Sequence, residues 1–203
     1  MADGVRQLVL IGPVCAGKST LLPVLSRLLD RRAVDLDDVA EPYYEEVGRG
    51  REALHEIGAA RGDLGAYLWW QEGHPHAVRR VLADHPTAIV ALGAGHSCYE
   101  DEALFDEVRV LLEPCAVALV LPSADLDESV AVLRARSLAE REMDWVMDSV
   151  DLIDRWVRGA QNHSLADVTV FTDGRTPEEV AIEIVRYLGE PVRPGAGRGE
   201  PAP

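Results

Sequence analysis

A short loop near the start of the chain constrains its fold more than any other feature. Residues 7–11 read QLVLI and residues 12–19 read GPVCAGKS, which matches the pattern G-x-x-x-x-G-K-[ST] in full. Glycines let the backbone turn so that successive N–H groups face an anion, and the N-terminus of the following helix favours negative charge at the same point. The order of strand, loop and helix therefore predicts a phosphate-binding loop.

The residue types in this loop predict distinct roles. We expect Lys18 to reach the β- and γ-phosphates of a nucleotide and Ser19 to offer its hydroxyl to magnesium. Cys15 is interpreted as a small loop residue. The predicted nucleotide-binding residues of the loop are Gly12, Pro13, Val14, Cys15, Ala16, Gly17, Lys18, Ser19 and Thr20.

Apolar runs alternate with amphipathic segments along the rest of the chain. The runs lie at residues 7–11, 33–37, 87–92, 116–122 and 168–172, and the clearest helical patterns lie at 18–29, 125–138 and 177–188. This alternation predicts an α/β fold with a parallel doubly wound sheet that binds ligands at the carboxyl ends of its strands. The intervening segments 38–84 and 137–163 exceed a simple crossover, so we expect extra helices there, around a substrate site and a lid.

Charge and composition narrow the possible partners. The 203 residues carry a formal net charge of −15, which disfavours a nucleic-acid partner. Three cysteines without CxxC spacing, and apolar runs too short to span a bilayer, indicate a cytoplasmic protein without a membrane partner. We expect one domain over residues 1–188, as a monomer or homodimer, and a disordered Pro- and Gly-rich tail over 189–203.

Two acidic residues follow the second predicted strand, in the stretch VDLDDVAE. At the carboxyl end of a strand beside a phosphate loop, Asp35 or Asp37 could hold magnesium through water, and the other could accept a proton from a substrate hydroxyl. The alternative is structural, with Asp37 or Asp38 capping the next helix.

These motifs, taken in order, resemble the shikimate kinase family over nearly all of residues 5–188. The likeness includes ALGAGHS after the third strand, LPSADLDESVAVLRAR after the fourth, and LADVTVFTDGRTPEEVAIEIV near the end. It implies a P-loop three-layer α/β/α sandwich with strand order 2-3-1-4-5, the cofactors ATP and Mg²⁺, and phosphoryl transfer to a small-molecule hydroxyl. By position, Asp35 would stand on the magnesium side, and Asp37 would bind the acceptor hydroxyl and act as base.

The acceptor side departs from the family pattern. The substrate loop reads Gly93-Ala94-Gly95, followed by His96, and YLWWQEG stands where the family carries a carboxylate-binding arginine. An aromatic pair cannot replace a bidentate arginine, so we predict an acceptor other than shikimate. The expected substrate-binding residues are Asp37, Trp69, Gly93, Ala94, Gly95, His96 and Arg158.

A lid is expected over residues 134–145, in place of the family's Arg-Pro-Leu segment. Arginines that close over the γ-phosphate stabilise the charge that gathers there during transfer. We assign Arg134 to nucleotide binding and Arg136, with Lys18 and Asp37, to catalysis. The alternative is a solvated helix face whose arginines pair with Glu140 and Glu142.

Two other functions stay open at this point. A nucleoside or nucleotide kinase would use the same sheet and lid, with an acceptor phosphate held by arginines of the 38–84 segment. A P-loop ATPase or nucleotide-binding regulator would transfer phosphate only to water. ALGAGHS has no acid in the usual Walker-B place, which disfavours the ATPase. The acceptor itself, and whether it is a primary metabolite or an antibiotic, is left undecided.

Overall fold

The fold was obtained as a computed structural model, which describes residues 6–189. Of the domain expected over residues 1–188, the first five residues lie outside the described part of the chain. The tail predicted over 189–203 lies, apart from Gly189, outside the described residues.

A five-stranded parallel sheet forms the centre of the molecule. Its strands run in the order β2-β3-β1-β4-β7, which confirms the predicted order with β7 as the fifth strand. Apolar residues of β1, β3 and β4 are buried on both faces because helices cover the sheet on each side. The five strands are β1 (Leu8–Ile11), β2 (Ala33–Asp35), β3 (Ile89–Ala91), β4 (Ala116–Leu121) and β7 (Val168–Phe171). A separate antiparallel hairpin consists of β5 (Val146–Met147) and β6 (Val150–Asp151).

Helices connect the strands and build a layer above the carboxyl edge of the sheet. The segments between β2 and β3 and between β4 and β7 hold several helices each, in agreement with their predicted length. The helices are α1 (Lys18–Leu29), α2 (Leu36–Val39), α3 (Glu41–Glu45), α4 (Arg51–Gln71), α5 (His74–Asp84), α6 (Glu102–Leu112), α7 (Leu126–Arg141), α8 (Leu152–Arg158), α9 (Ala160–Leu165) and α10 (Pro177–Tyr187), with a 3₁₀ turn at Ala94–Ser97. No helix among residues 6–189 is long and apolar enough to cross a membrane.

The order of the strands creates a switch point beside β1. The strands β3 and β2 lie on one side of β1, and the strands β4 and β7 lie on the other side. The loops that follow β1, β2 and β3 therefore open at one edge of the sheet, where a ligand can enter between them. The N-terminus of α1 begins at Lys18, directly behind the first of these loops.

Two local features differ from the sequence expectation. β2 ends at Asp35, because the Asp35 carboxylate accepts a hydrogen bond from the Asp37 backbone N–H at 3.2 Å and caps α2. Asp35, and not Asp37 or Asp38, is therefore the capping residue. In the lid region, α7 continues unbroken to Arg141, and only residues 142–151 form a loop and hairpin.

Candidate active site

The loop between β1 and α1 is shaped by close packing on the sheet. Gly12 has φ +134°, and a Cβ built there would lie 2.4 Å from the Val120 carbonyl oxygen of β4. Any larger residue would push the loop off the sheet. Cys15 has φ +57°, in the left-handed region, which helps to turn the backbone N–H groups toward the space above α1.

Lys18 lies almost buried at the start of α1, with 9% of its surface exposed. Its Nζ donates hydrogen bonds to the carbonyl oxygens of Gly12 at 2.7 Å and Pro13 at 2.8 Å. Burial lowers the pKa of the ammonium group from 10.5 to about 8, although the charges of Asp37 and Asp35 oppose this shift. A bound phosphate would supply the negative charge that a buried ammonium lacks.

Ser19 and Asp35 meet at the carboxyl edge of the sheet. The Ser19 hydroxyl donates to Asp35 Oδ2 at 2.6 Å. Magnesium is usually held by one or two protein oxygens together with substrate phosphates and waters. The two side chains fit that kind of site. Among residues 6–189, no cluster of three or more His, Cys, Asp or Glu could hold a metal by itself.

A single cavity of about 710 Å³ joins the phosphate loop to the acceptor side. Its size is in the usual range for small-molecule sites. The loop residues Val14 to Thr20 form one end of the lining, and α7 contributes Arg136, Glu140 and Arg141. The other lining residues are Asp35, Asp37, Ala40, Glu41, Tyr44, Arg51, Leu54, Tyr67, Trp70, His74, Gly93, Ala94, Gly95, His96, Trp145 and Trp156.

Asp37 and His96 lie against the same side of Gly93. A Cβ built on Gly93 would be 2.2 Å from Asp37 Oδ1 and 2.8 Å from His96 Nδ1. The position therefore has room only for glycine. The carboxylate and the imidazole are near neighbours, and the charge of Asp37 opposes the lowering of the His96 pKa by burial.

Tyr44 fixes the orientation of the His96 ring. Its hydroxyl lies 2.6 Å from His96 Nε2, and burial raises the pKa of the phenol, so the hydroxyl stays protonated. We assign Tyr44 as the donor, because His96 Nδ1 then carries a proton on the side of the Asp37 carboxylate. The opposite tautomer would aim a lone pair at a negative charge.

A second histidine stacks on the first. The His74 and His96 rings are 4.2 Å apart at 19°, and the Trp70 ring meets both edge-on at 4.9 and 6.5 Å. His74 Nδ1 lies 3.1 Å from the Gly95 carbonyl oxygen, which can only accept, so Nδ1 carries the proton and Nε2 is an acceptor. Burial lowers the pKa of both histidines, and His74 Nε2 is buried without a partner among the described residues.

The lid arginines separate into two groups. Arg136 lines the cavity beside the phosphate loop, 3.4 Å from the Cys15 carbonyl oxygen and 3.5 Å from Asp173. Arg141 lies in the same lining. Arg134 was predicted to bind the nucleotide, but it lies elsewhere. It pairs with Asp151 of the hairpin and does not line the cavity, because two residues along a helix turn its side chain to a different face.

Two residues assigned to the acceptor are also placed elsewhere. Trp69 lies outside the cavity lining, where its ring packs under the Arg49 guanidinium at 4.6 Å, and Trp70 lines the cavity in its place. Arg158 forms ion pairs with Asp154 and Asp127 on the surface. Gly93, Ala94, Gly95 and His96 lie in the lining, as expected.

Several aromatic residues of the cavity were not assigned to it from the sequence, although Trp70 belongs to the aromatic pair considered there. They come from α3, α4, the lid loop and α8, which are distant in the chain and meet only through the fold. The segment 38–84 was expected to hold substrate-binding helices, which was the available signal for the first three. These residues are Tyr44, Tyr67, Trp70, Trp145 and Trp156.

Known proteins with similar sequences are shikimate kinases. The enzyme of Francisella tularensis subsp. novicida is 26% identical over 188 residues, which cover 91% of this chain and 96% of the relative. The enzyme of Francisella philomiragia is 24% identical over the same shares. No protein-family model matches the chain.

Solved structures share the fold. The shikimate kinase of Acinetobacter baumannii, solved with shikimate, superposes with a TM-score of 0.61 at 16% identity and covers 91% of this chain and 93% of its own. That of Aquifex aeolicus gives 0.59 at 20% identity, with 90% and 96% covered. Together with the phosphate loop and the sheet order already described, these relatives show that the chain is similar in sequence to shikimate kinases and shares their P-loop kinase fold.

Proposed function

We propose that the protein is an ATP-dependent kinase that transfers the γ-phosphate to a hydroxyl group of a small molecule other than shikimate. One observation carries the proposal: Asp37 stands beside the glycine loop at residues 93–95, in the same cavity as the phosphate loop. A general base within reach of both an acceptor and a phosphate donor is what transfer to an alcohol requires.

In the proposed step, the acceptor oxygen forms a bond to the γ-phosphorus as its proton passes to Asp37. The bond from that phosphorus to the oxygen bridging the β-phosphate breaks, and ADP leaves with that oxygen and its electron pair. Lys18 and Arg136 stabilise the charge on the phosphate oxygens, and Tyr44 holds His96 against Asp37. Magnesium, when bound at Ser19 and Asp35, would neutralise charge between the β- and γ-phosphates.

The positions of the arginines support an acceptor without a phosphate or carboxylate. Arg49, Arg79 and Arg80 of the 38–84 segment pair with Glu72, Glu107 and Glu46, outside the cavity lining. Arg51 of the same segment lies in the lining, but its side chain is 86% exposed. A nucleotide kinase would need several such arginines turned toward its acceptor phosphate. The proposal therefore favours a neutral small molecule over a nucleotide.

The test is to incubate the full chain with Mg-ATP and a pooled metabolite extract, and to search by mass spectrometry for phosphate addition. Asp37→Asn should bind ATP almost normally and lose transfer by about 10²-fold or more, because the amide cannot take the proton. Asp38→Asn is the matched control, since Asp38 is the exposed neighbour outside the cavity lining.

Two outcomes would contradict the proposal. Release of ADP and inorganic phosphate at the same rate with every acceptor would indicate an ATPase. Equal transfer by Asp37→Asn and Asp38→Asn would remove Asp37 from the reaction.

A further inference from the structure

We propose that the acceptor is an uncharged alcohol carrying a flat ring, which packs against Trp70 and Trp145. This inference rests on the proposed function and names the substrate class of the same site. It is carried by the charges, the aromatic surfaces and the unpaired polar atoms on the acceptor side of the cavity.

The charges of the acceptor side disfavour an anion. Asp37 and Glu41 lie in the lining with Arg51, whereas Lys18, Arg136 and Arg141 line the same cavity at the phosphate loop and in α7. The Arg51 side chain is 86% exposed, and its Nε lies 3.9 Å from Glu41 Oε2. A carboxylate beside Asp37 and Glu41 would meet two acids, and Lys18, the buried cation of the cavity, is already held by the Gly12 and Pro13 carbonyl oxygens.

The same walls disfavour a cation. Burial keeps the pKa of both His74 and His96 below the ordinary value, so the stacked rings stay neutral near pH 7. An ammonium group beside these rings would lose its hydration in the same way. Asp37 and Glu41 are more exposed than these rings, so water screens the attraction that they exert on an ammonium group.

Two tryptophans provide partly exposed surfaces backed by buried side chains. Trp70 comes from α4 and Trp145 from the lid loop, and both line the cavity. Tyr44 packs behind Trp70 at 4.9 Å, and the buried Trp156 packs against Trp145 at 5.3 Å. The Trp145 indole N–H also donates to the Ser137 hydroxyl at 2.9 Å. Rigid aromatic surfaces of this kind favour a flat ring over a flexible chain.

A polar group of the lining lacks its partner. His74 Nε2 is an acceptor by the tautomer derived above, and it is buried without a hydrogen bond among the described residues. A buried acceptor left unpaired costs about 1–3 kcal/mol in proteins. His74 lines the cavity but is 1% exposed, so an O–H or N–H of an uncharged ligand could satisfy this acceptor only where ligand binding exposes the ring.

The experiment uses three probes that share one ring and one primary hydroxyl and differ in charge. They are the para-hydroxymethyl derivatives of benzamide, benzoate and benzylamine. Binding to the full chain with Mg-ADP is followed by quenching of tryptophan fluorescence, and phosphate transfer from Mg-ATP is followed by mass spectrometry. We expect the neutral alcohol to exceed both charged probes by about tenfold or more in affinity and in kcat/KM.

Matched variants test the named surfaces. Trp70→Leu and Trp145→Leu should each raise KM for the neutral probe about tenfold and leave KM for ATP unchanged. Trp69→Leu is the matched control, because it removes the same kind of side chain from the same helix but outside the lining. It should change KM for the neutral probe by no more than about twofold. Equal effects of Trp69→Leu and Trp70→Leu would overturn the proposal.

The outcomes separate this inference from the kinase proposal. Preferred phosphorylation of the benzoate or the benzylamine would overturn the acceptor class and leave the kinase standing. Binding of the neutral probe without transfer to any acceptor would support the acceptor class and contradict the kinase. If none of the three probes binds at millimolar concentration, the acceptor class is wrong.

Discussion

Replacing Lys18 with methionine should inactivate the protein and stabilise its fold. The ammonium group is buried at the start of α1 and is held by the Gly12 and Pro13 carbonyl oxygens at 2.7 and 2.8 Å. Methionine has a similar length and no charge, so it fills the same space without the cost of desolvating a cation. We therefore expect Lys18 to serve the proposed phosphate binding at the expense of stability.

The size of the effect follows from the pKa of the Lys18 ammonium. A decrease from 10.5 to about 8 corresponds to about 3 kcal/mol, at about 1.4 kcal/mol for each pH unit. Losing the two hydrogen bonds offsets part of this gain, at about 1 kcal/mol each. We expect Lys18→Met to raise the free energy of unfolding by about 1–2 kcal/mol at pH 7.

The pH dependence distinguishes this cause from improved packing. Between pH 8 and 10.5 the unfolded chain binds the lysine proton and the folded chain does not, so the stability of the original protein rises with pH in that window. The stability of Lys18→Met lacks this rise. The advantage of the variant at pH 7 should therefore disappear, and then reverse, as the pH approaches 10.5.

The measurement is urea unfolding of both proteins without nucleotide, followed by circular dichroism at pH 7, 8.5 and 10. Binding of ATP at pH 7 is measured on the same samples and should fall by about 10²-fold or more in the variant. A variant that is less stable at pH 7, or a difference that stays constant from pH 7 to 10, would refute the reasoning.

Three further predictions concern the acceptor side. Gly93→Ala should lower kcat by about 10²-fold, because its Cβ would displace the Asp37 carboxylate, whereas Gly58→Ala, with 3.8 Å of clearance in α4, should leave kcat unchanged. Tyr44→Phe should lower kcat about tenfold and leave KM for ATP unchanged, and it should shift the acid limb of the pH–rate profile, since His96 loses the partner that sets its tautomer; an unshifted profile would reduce Tyr44 to a packing role. Because burial lowers the pKa of His74 and His96, the unfolded chain binds more protons below pH 6.5, so urea unfolding should show stability falling as the pH drops from about 6.5 to 5. His74→Gln, which keeps a donor for the Gly95 carbonyl, should flatten this slope.

The phosphate loop could be predicted from the sequence because its shape is set by backbone conformation. The loop at residues 12–19 needs glycines where the chain turns or meets the sheet, and such requirements are visible as letters in the sequence. The order of the strands followed from the family resemblance, which rests on motifs at the ends of consecutive strands. Both depend little on how individual side chains pack.

The side chains that line the other part of the cavity were harder to predict, because the sequence does not show in which direction each side chain points. Trp69 and Trp70 are neighbours on α4, about 100° apart around the helix, and one contacts Arg49 while the other faces the cavity. Gly62, with φ +74° and ψ 176°, interrupts the regular helical geometry of α4. The side of the helix on which Trp69 and Trp70 lie therefore cannot be predicted by counting residues from Arg51. Arg134 and Arg136 differ by the same kind of rotation, one toward the Asp151 hairpin and one toward the phosphate loop.

The missing arginine and the buried histidines have a common physical reason. An arginine in the place of Trp70 would lie against the His74 and His96 rings, and its charge would further lower pKa values that burial has already lowered. The neutral rings let His96, with Tyr44 as its donor, carry an N–H on the side of Asp37, and they add no charge to Lys18 and Arg136 at the proposed site of transfer. Under the proposed function, an aromatic residue in place of the carboxylate-binding arginine therefore affects acceptor selection and the setting of the base together. On the same proposal, an anionic acceptor would require changes at both places.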